Sequence, residues 1–289
     1  MFRHTKQLAY KVRVDEPNPV FAKYLQQAIG GVEGEIRVCL QYLFQGWGNR
    51  GPDRYKDMLL NTGTEEIGHI EMLATAVALN LEGAPAKLQE EIAGKNGMVE
   101  AVLGGEDPRH VLSSGLGAMP ADANGNPFNG SWVVATGNIG SDMVANVHAE
   151  ASGRLLATRL WELTDDPGMK DMLSFLIARD TMHQNQWMAV LEEQKDMGLP
   201  VPPDFPQEQE KQEFAYDFFV HSDGEVPKDA RWTSGPSIDS KGEFGVRQAE
   251  PMGDVPKLAP AEARPELHST PVPAADGGIL RKAKDAITP

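Results

Sequence analysis

Two carboxylate–histidine pairs are the residues of this chain best suited to chemistry. Glu66 and His69 are three residues apart in TGTEEIGHIEML, and Asp180 and His183 are three apart in LIARDTMHQNQW. Residues three apart share one face of a helix, so each pair directs an oxygen and a nitrogen ligand the same way. Mixed oxygen and nitrogen ligands suit iron or manganese. Each segment therefore predicts part of a metal site.

Two further acidic residues, Glu35 and Glu150, lie in apolar helical stripes elsewhere in the chain. A carboxylate in a protein core costs free energy unless it is paired or binds a metal, and several together repel one another. A pair of divalent cations would offset that cost. One acid on each of four helices, with a histidine three residues after two of them, predicts a dinuclear site inside a ferritin-like four-helix bundle.

Four long helices must position these residues. Apolar residues spaced by three and four predict helices from about Pro19 to Gly46, from Asp53 to Asn80, within residues 131–163, and from Pro167 to Met197. The connection over residues 81–130 is long, as expected when one crossover joins two helical hairpins. The pattern predicts an all-α fold, a ferritin-like bundle with one long crossover.

The composition changes near residue 198, because 13 of the 21 prolines lie at position 200 or later. Proline lacks a backbone N–H donor and clashes with the preceding helical turn. We therefore expect residues 1–197 to form the bundle and residues 198–289 an extended, proline-rich C-terminal arm. Its aromatic residues favour packing, on neighbouring subunits, over a disordered tail.

Charge and composition exclude several classes of partner. The chain has 27 basic and 42 acidic side chains, a formal net charge of −15, which repels nucleic acid and anionic membranes. The one cysteine, Cys39, cannot form an internal disulfide and favours a reducing compartment. The N-terminus shows no secretory signal, and no apolar run approaches the roughly 20 residues of a membrane span. We expect a cytoplasmic protein without nucleic-acid or membrane partners.

The segments around the pairs resemble the non-haem manganese catalases. The matching runs are EGEIRVCLQYLFQ, TEEIGHIEML, NVHAEASGRLLATRLWELTDDPGMKDMLSFLIARDTMHQNQW and FAYDFFVHSDGE. The resemblance covers residues 1 to about 235 and implies two manganese ions per chain, hydrogen peroxide as substrate and a homohexamer. In the implied cycle, one peroxide oxidises the Mn(II) pair to Mn(III) and leaves as water, and a second reduces it and leaves as dioxygen.

The resemblance also assigns roles to residues. The implied manganese ligands are Glu35 with His69 on one metal, Glu150 with His183 on the other, and Glu66 bridging the two. Tyr42 would hydrogen-bond Glu35. Asp180 is one methylene shorter than the glutamate of di-iron proteins, so we expect it to fall short of the metals. Glu35 or Asp180 is the candidate for proton transfer.

Two features of the sequence depart from the family. Ala149 stands beside the third-helix ligand, where family members often carry a basic residue. The family can also bind a structural calcium, for which Asp57, Asn61, Ser222 and Gly224 are the candidates here. Asn61 stands where an acid would bind better, and the loss of one charge weakens a calcium site. The alternative is a solvated helix face and an ordinary turn.

Two other functions would use the same residues. A di-iron oxidase or peroxidase shares the ligand set, and metal content together with oxygen-dependent oxidation would separate it from a catalase. A non-catalytic metal-binding assembly protein would keep the ligands without turning over peroxide. A conventional hydrolase is disfavoured, because the chain has no Gly-x-Ser-x-Gly motif, no phosphate loop and no His-Glu-x-x-His zinc motif.

Overall fold

Hydrogen-bonded caps and apolar stripes explain where the helices form in the first part of the chain. The computed structural model describes residues 4–83, 107–199, 209–222 and 230–257. The chain divides into two units, Met1–Glu210 and Lys211–Pro289. Among the described residues, no helix combines the length and the apolar character needed to cross a membrane.

The first unit is built from helices of very different lengths. They are α1 (Pro19–Gly30), α2 (Glu35–Gly48), α3 (Asp53–Asn80), α4 (Pro108–Leu112), a 3₁₀ turn (Gly130–Trp132), α5 (Ile139–Glu162) and α6 (Pro167–Asp196). The bounds predicted for α3 are confirmed, and those for α6 differ by one residue. The start of α6 is fixed locally, because the Asp166 side chain accepts a hydrogen bond from the backbone N–H of Met169.

The first predicted helix is wrong in one respect, because it consists of two helices. A turn at Gly31–Gly34 separates α1 from α2. Gly30, the last residue of α1, packs against the crossover, where an added Cβ would lie 2.5 Å from backbone atoms of Ala121. A continuous helix through this turn would lose that close approach. The break places Glu35 in the first turn of α2, where the helix dipole favours a carboxylate.

The core has two apolar clusters, and the predicted site lies between them along the helices. One cluster includes Leu25, Leu73 and Leu173, and the other includes Leu59 and Trp187. On α3 and on α6, one end of the helix enters the first cluster and the other end enters the second. The intervening turns of both helices carry the buried polar residues. Apolar packing on both sides therefore fixes the position of the buried polar residues on these two helices.

The second unit contains regular structure that the proline-rich sequence did not predict. It includes a short helix α7 (Gln212–Ala215) and two parallel strands, β1 (Asp217–Val220) and β2 (Gly245–Gln248). The guanidinium group of Arg247 lies 5.2 Å from the ring centre of Phe214 and 5.8 Å from that of Phe219. Packing of the arm on a neighbouring subunit stays a prediction.

Candidate metal centre

Glu66 on α3 occupies the centre of the site. Its Oε2 lies 2.6 Å from Nδ1 of His69, and its Oε1 lies 2.9 Å from Nδ1 of His183 on α6. None of the three side chains is more than 1% exposed. Because its two oxygens contact two different histidines, the carboxylate of Glu66 spans the site in the way that a bridging ligand requires.

The ligand atoms form two groups that share Glu66. Glu35, Glu66 and His69 form one group, and Glu66, Glu150 and His183 form the other, each with its ligand atoms within 4.8 Å of one another. The fold thus brings together the five residues chosen from the sequence, in the predicted pairing. Their role as manganese ligands stays a prediction.

The hydrogen bonding of these side chains fits a pair of metal ions. Within the described residues, both oxygens of Glu66 and both ring nitrogens of His69 and His183 have no hydrogen-bond partner. Buried polar atoms are normally satisfied, so a cluster of unsatisfied ones indicates that another group belongs there. Three carboxylates and two imidazoles form a donor set for iron or manganese.

The pKa values of the buried acids also fit a pair of metal ions, because these carboxylates repel one another. Burial and the neighbouring Glu66 raise the pKa of Glu35 to about 7, and they also raise the pKa of Glu150. Burial alone would raise the pKa of Glu66, but His69 and His183 outweigh it and lower this pKa to about 2. Two cations would relieve the repulsion that keeps protons on Glu35 and Glu150.

Asp180 faces the site without joining either group of ligand atoms. It is buried, and burial followed by the negative charges of Glu35 and Glu66 raises its pKa to about 8. That the shorter aspartate falls short of the metals stays a prediction.

The predicted partner of Tyr42 is wrong. Its hydroxyl donates to Oε1 of Glu150, not to Glu35. Tyr42 comes seven residues after Glu35 on α2, about 10 Å further along the helix axis. The ring is fully buried and packs on Trp187, with ring centres 4.8 Å apart, so the hydroxyl reaches the acid across the bundle.

Sequence reasoning missed Glu65, which lies on the opposite side of both histidines from Glu66. Its Oε1 is 3.6 Å from Nε2 of His69, and its Oε2 is 3.2 Å from Nε2 of His183. Nε of Arg179 lies 2.6 Å from Oε1 of Glu65. The signal was available, because Glu65 precedes His69 by four residues and Arg179 precedes His183 by four.

Comparison with known proteins agrees with this geometry. The family model described as "Manganese containing catalase" matches residues 1–283. The chain belongs to this family. A manganese catalase of Bacillus subtilis (strain 168) is 48% identical over 271 residues, which are 93% of this chain and 98% of that relative. A manganese catalase of Lactiplantibacillus plantarum is 38% identical over 272 residues, which are 93% of this chain and 99% of that relative.

A solved manganese catalase also shares the fold. The crystal structure of wild-type KatB, a manganese catalase from Anabaena, aligns with a TM-score of 0.67 at 26% identity, covering 87% of this chain and all of that one. The ferritin-like, mostly helical fold predicted from the sequence is confirmed. As a member of the manganese catalase family, the protein is a metal-binding enzyme, and its cluster of glutamates and histidines is compatible with a metal site.

The calcium site that this family suggests stays a prediction. Asp57 and Asn61 are exposed on α3, and Nδ2 of Asn61 donates to the backbone oxygen of Asp57 over 2.8 Å. Ser222 belongs to the second unit, and Gly224 lies outside the described residues. The amide nitrogen of Asn61 is therefore engaged with its own helix, whereas a cation would bind the amide oxygen.

Proposed function

We propose that the protein disproportionates hydrogen peroxide to water and dioxygen at two manganese ions per chain. The observation that carries this proposal is the position of Glu66, which is shared by two groups of three ligand atoms. A shared carboxylate places two metals close enough to act on one small substrate. Membership of the manganese catalase family supports manganese and peroxide over the di-iron oxidase and the assembly protein, which we do not favour.

The reaction requires the transfer of two electrons and two protons between two peroxide molecules. When bound, the manganese pair supplies Lewis acidity and the two-electron change between Mn(II) and Mn(III). The protein must supply groups that hold a proton near neutral pH. Asp180, which lies outside both groups of ligand atoms and whose pKa is raised to about 8, has this property. Glu35, whose pKa without metal is raised to about 7, is the second candidate.

Other side chains orient the ligands. The hydroxyl of Tyr42 donates to Oε1 of Glu150, which restricts the rotation of that carboxylate. Among the five candidate ligands, the side chain of Glu35 is 14% exposed and the other four are at most 3% exposed. We propose that the small, neutral substrate enters on the side of Glu35, where the surrounding charge does not repel it.

The deciding experiment measures dioxygen release from hydrogen peroxide by the purified protein, with the metal content of the same sample. Oxygen evolution with close to two manganese ions per chain, and no haem absorbance, would support the proposal. Two irons without oxygen evolution would contradict it and point to the di-iron oxidase. Two manganese ions without turnover would point to the assembly protein.

Assembly and location are parts of the proposal that other measurements must test. The resemblance implies a homohexamer, and the composition of the sequence predicts a cytoplasmic protein. Sedimentation velocity on the full chain should give six copies, and a stable monomer that releases dioxygen would contradict the hexamer. Metal analysis on the same protein also tests calcium, which we expect to bind weakly because Asn61 stands in place of an acid.

A further inference from the structure

Glu65 has contacts that an ordinary surface acid lacks. It precedes Glu66 on α3, and its side chain is 32% exposed. Nevertheless, its two oxygens face the Nε2 atoms of two buried rings, at 3.6 Å from His69 and 3.2 Å from His183. The two rings are nearly parallel, with centres 5.8 Å apart, so one carboxylate lies in reach of both.

Arg179 holds this carboxylate in place. Its Nε donates to Oε1 of Glu65 over 2.6 Å, and its Nη2 donates to Oε2 over 3.4 Å. The planar guanidinium group therefore contacts both oxygens, which fixes the plane of the carboxylate. Both oxygens of Glu65 therefore accept from Arg179 and remain available as acceptors for the two rings.

We infer that Glu65 is a positioning residue for both histidine ligands at once. This inference rests on the proposed dimanganese function. A neutral imidazole carries one N–H, and an acceptor at Nε2 keeps the proton on that atom, which leaves the lone pair of Nδ1 for a metal. The Nδ1 atoms of His69 and His183 are the ones that face Glu66. One carboxylate thus sets the tautomer and the orientation of ligands on two different helices.

The alternative is an ordinary ion pair between Glu65 and Arg179. Such a pair at a partly exposed position contributes little, and it would not depend on the histidines. Within the described part of the chain, the Nε2 atoms of His69 and His183 have no hydrogen-bond partner, and the carboxylate of Glu65 faces both of them. At 3.6 Å and 3.2 Å, neither contact is a formed hydrogen bond, and the proposal is that both form when the histidines bind manganese. The geometry therefore favours the shared acceptor.

The test replaces Glu65 by glutamine and measures manganese binding to the full-length protein by competition with a chelator. A glutamine side chain has one acceptor oxygen, so it can serve only one of the two histidines. Changes to the partner of a metal-ligating histidine weaken metal binding about 10- to 100-fold, which is the expected loss. The matched control is Glu71→Gln, which removes the same charge from α3 at a residue outside both ligand groups.

A second readout separates positioning from general destabilisation. At saturating manganese, the electron paramagnetic resonance spectrum of the Mn(II) pair should change in Glu65→Gln and stay unchanged in Glu71→Gln. Arg179→Gln keeps Glu65 and both histidines, so it should change manganese affinity and spectrum in the same direction by less. It also provides a test if Glu65→Gln fails to fold.

The outcomes are distinct from those that test the function itself. Wild-type protein that binds no manganese pair would overturn the proposed function. Wild-type protein that binds two ions, together with Glu65→Gln and Arg179→Gln variants of unchanged affinity and spectrum, would leave the function standing and overturn the role of Glu65.

Discussion

Oε1 of Glu66 lies 2.9 Å from Nδ1 of His183, although the two residues come from opposite ends of the bundle sequence. Glu66 is on α3, which pairs with α2, and His183 is on α6, which pairs with α5. A metal bound between them therefore connects two helical hairpins that a long crossover separates in sequence. A ligand that binds only the folded state stabilises it, so manganese should raise the melting temperature.

Replacing Glu66 by alanine should abolish binding of the metal pair, because both groups of ligand atoms lose their shared member. We expect no more than one tightly bound manganese per chain and a loss of dioxygen release. Metal analysis after gel filtration measures the first, and an oxygen electrode measures the second. Glu71→Ala is the control on the same helix. Two bound ions and full activity in Glu66→Ala would show that the site lies elsewhere.

Replacing Asp180 by asparagine should retain both manganese ions and slow turnover. Asp180 lies outside both groups of ligand atoms, and its raised pKa suits a group that moves protons. Loss of a general acid or base typically costs about 10²- to 10⁴-fold in rate. The measurement is kcat at matched manganese content. If the variant lost one metal ion, Asp180 would be a ligand.

Replacing Tyr42 by phenylalanine should destabilise the protein without removing a ligand. The variant leaves buried Glu150 without the hydroxyl that now donates to it. Leaving a buried polar group without its hydrogen-bond partner costs about 1–3 kcal/mol, so the free energy of unfolding should fall by about that amount. Urea denaturation measures it, with the more exposed Tyr24→Phe as control. An unchanged stability would mean that Glu150 finds another donor.

Stripped of metal, the protein should become less stable as the pH rises from about 5 to 8. The pKa of Asp180 is raised from 3.8 to about 8, so the folded chain keeps a proton that the unfolded chain has released. The stability from this group is complete at low pH and is lost as the pH approaches 8. The pKa of Glu35, raised from 4.5 to about 7, acts in the same direction.

The expected loss from Asp180 alone is roughly 2–3 kcal/mol between pH 5.5 and 8, since each pH unit in this window changes stability by about 1.4 kcal/mol. Urea denaturation of chelator-treated protein at the two pH values measures it. Manganese binding should strengthen over the same range, because ligands must lose their protons. Chelator-treated protein that gained stability with rising pH would contradict the raised pKa values.

Gly30→Ala should destabilise the first hairpin. The added methyl group would lie 2.5 Å from backbone atoms of Ala121, and backbone cannot move aside as a flexible side chain can. Overpacking of this kind costs about 1–3 kcal/mol. Gly48→Ala is the control, because a Cβ there meets nothing within 4 Å. Equal stability of the two variants would show that the backbone at Ala121 shifts to accommodate the methyl group.

The sequence by itself predicted the five acidic and histidine residues that the fold brings together, and most of the helix bounds around them. Glu66 and His69 share a face because they are three residues apart, and this local geometry holds in any α-helix. The apolar stripe and its ends predicted α3 over Asp53–Asn80, as observed. Such features depend on neighbours in the chain, so they can be read before the tertiary structure is known.

Only the tertiary structure decided the features that depend on contacts between distant segments. The turn before Glu35 is associated with the approach of Ala121 to Gly30. The spacing of residues along one helix cannot predict this contact with a distant segment. Tyr42 lies about 10 Å along α2 from Glu35, and the packing of α2 against α5 brings its hydroxyl to Glu150 instead. Glu65 precedes His69 by four residues, but only the fold places the Nε2 atoms of both His69 and His183 beside its carboxylate.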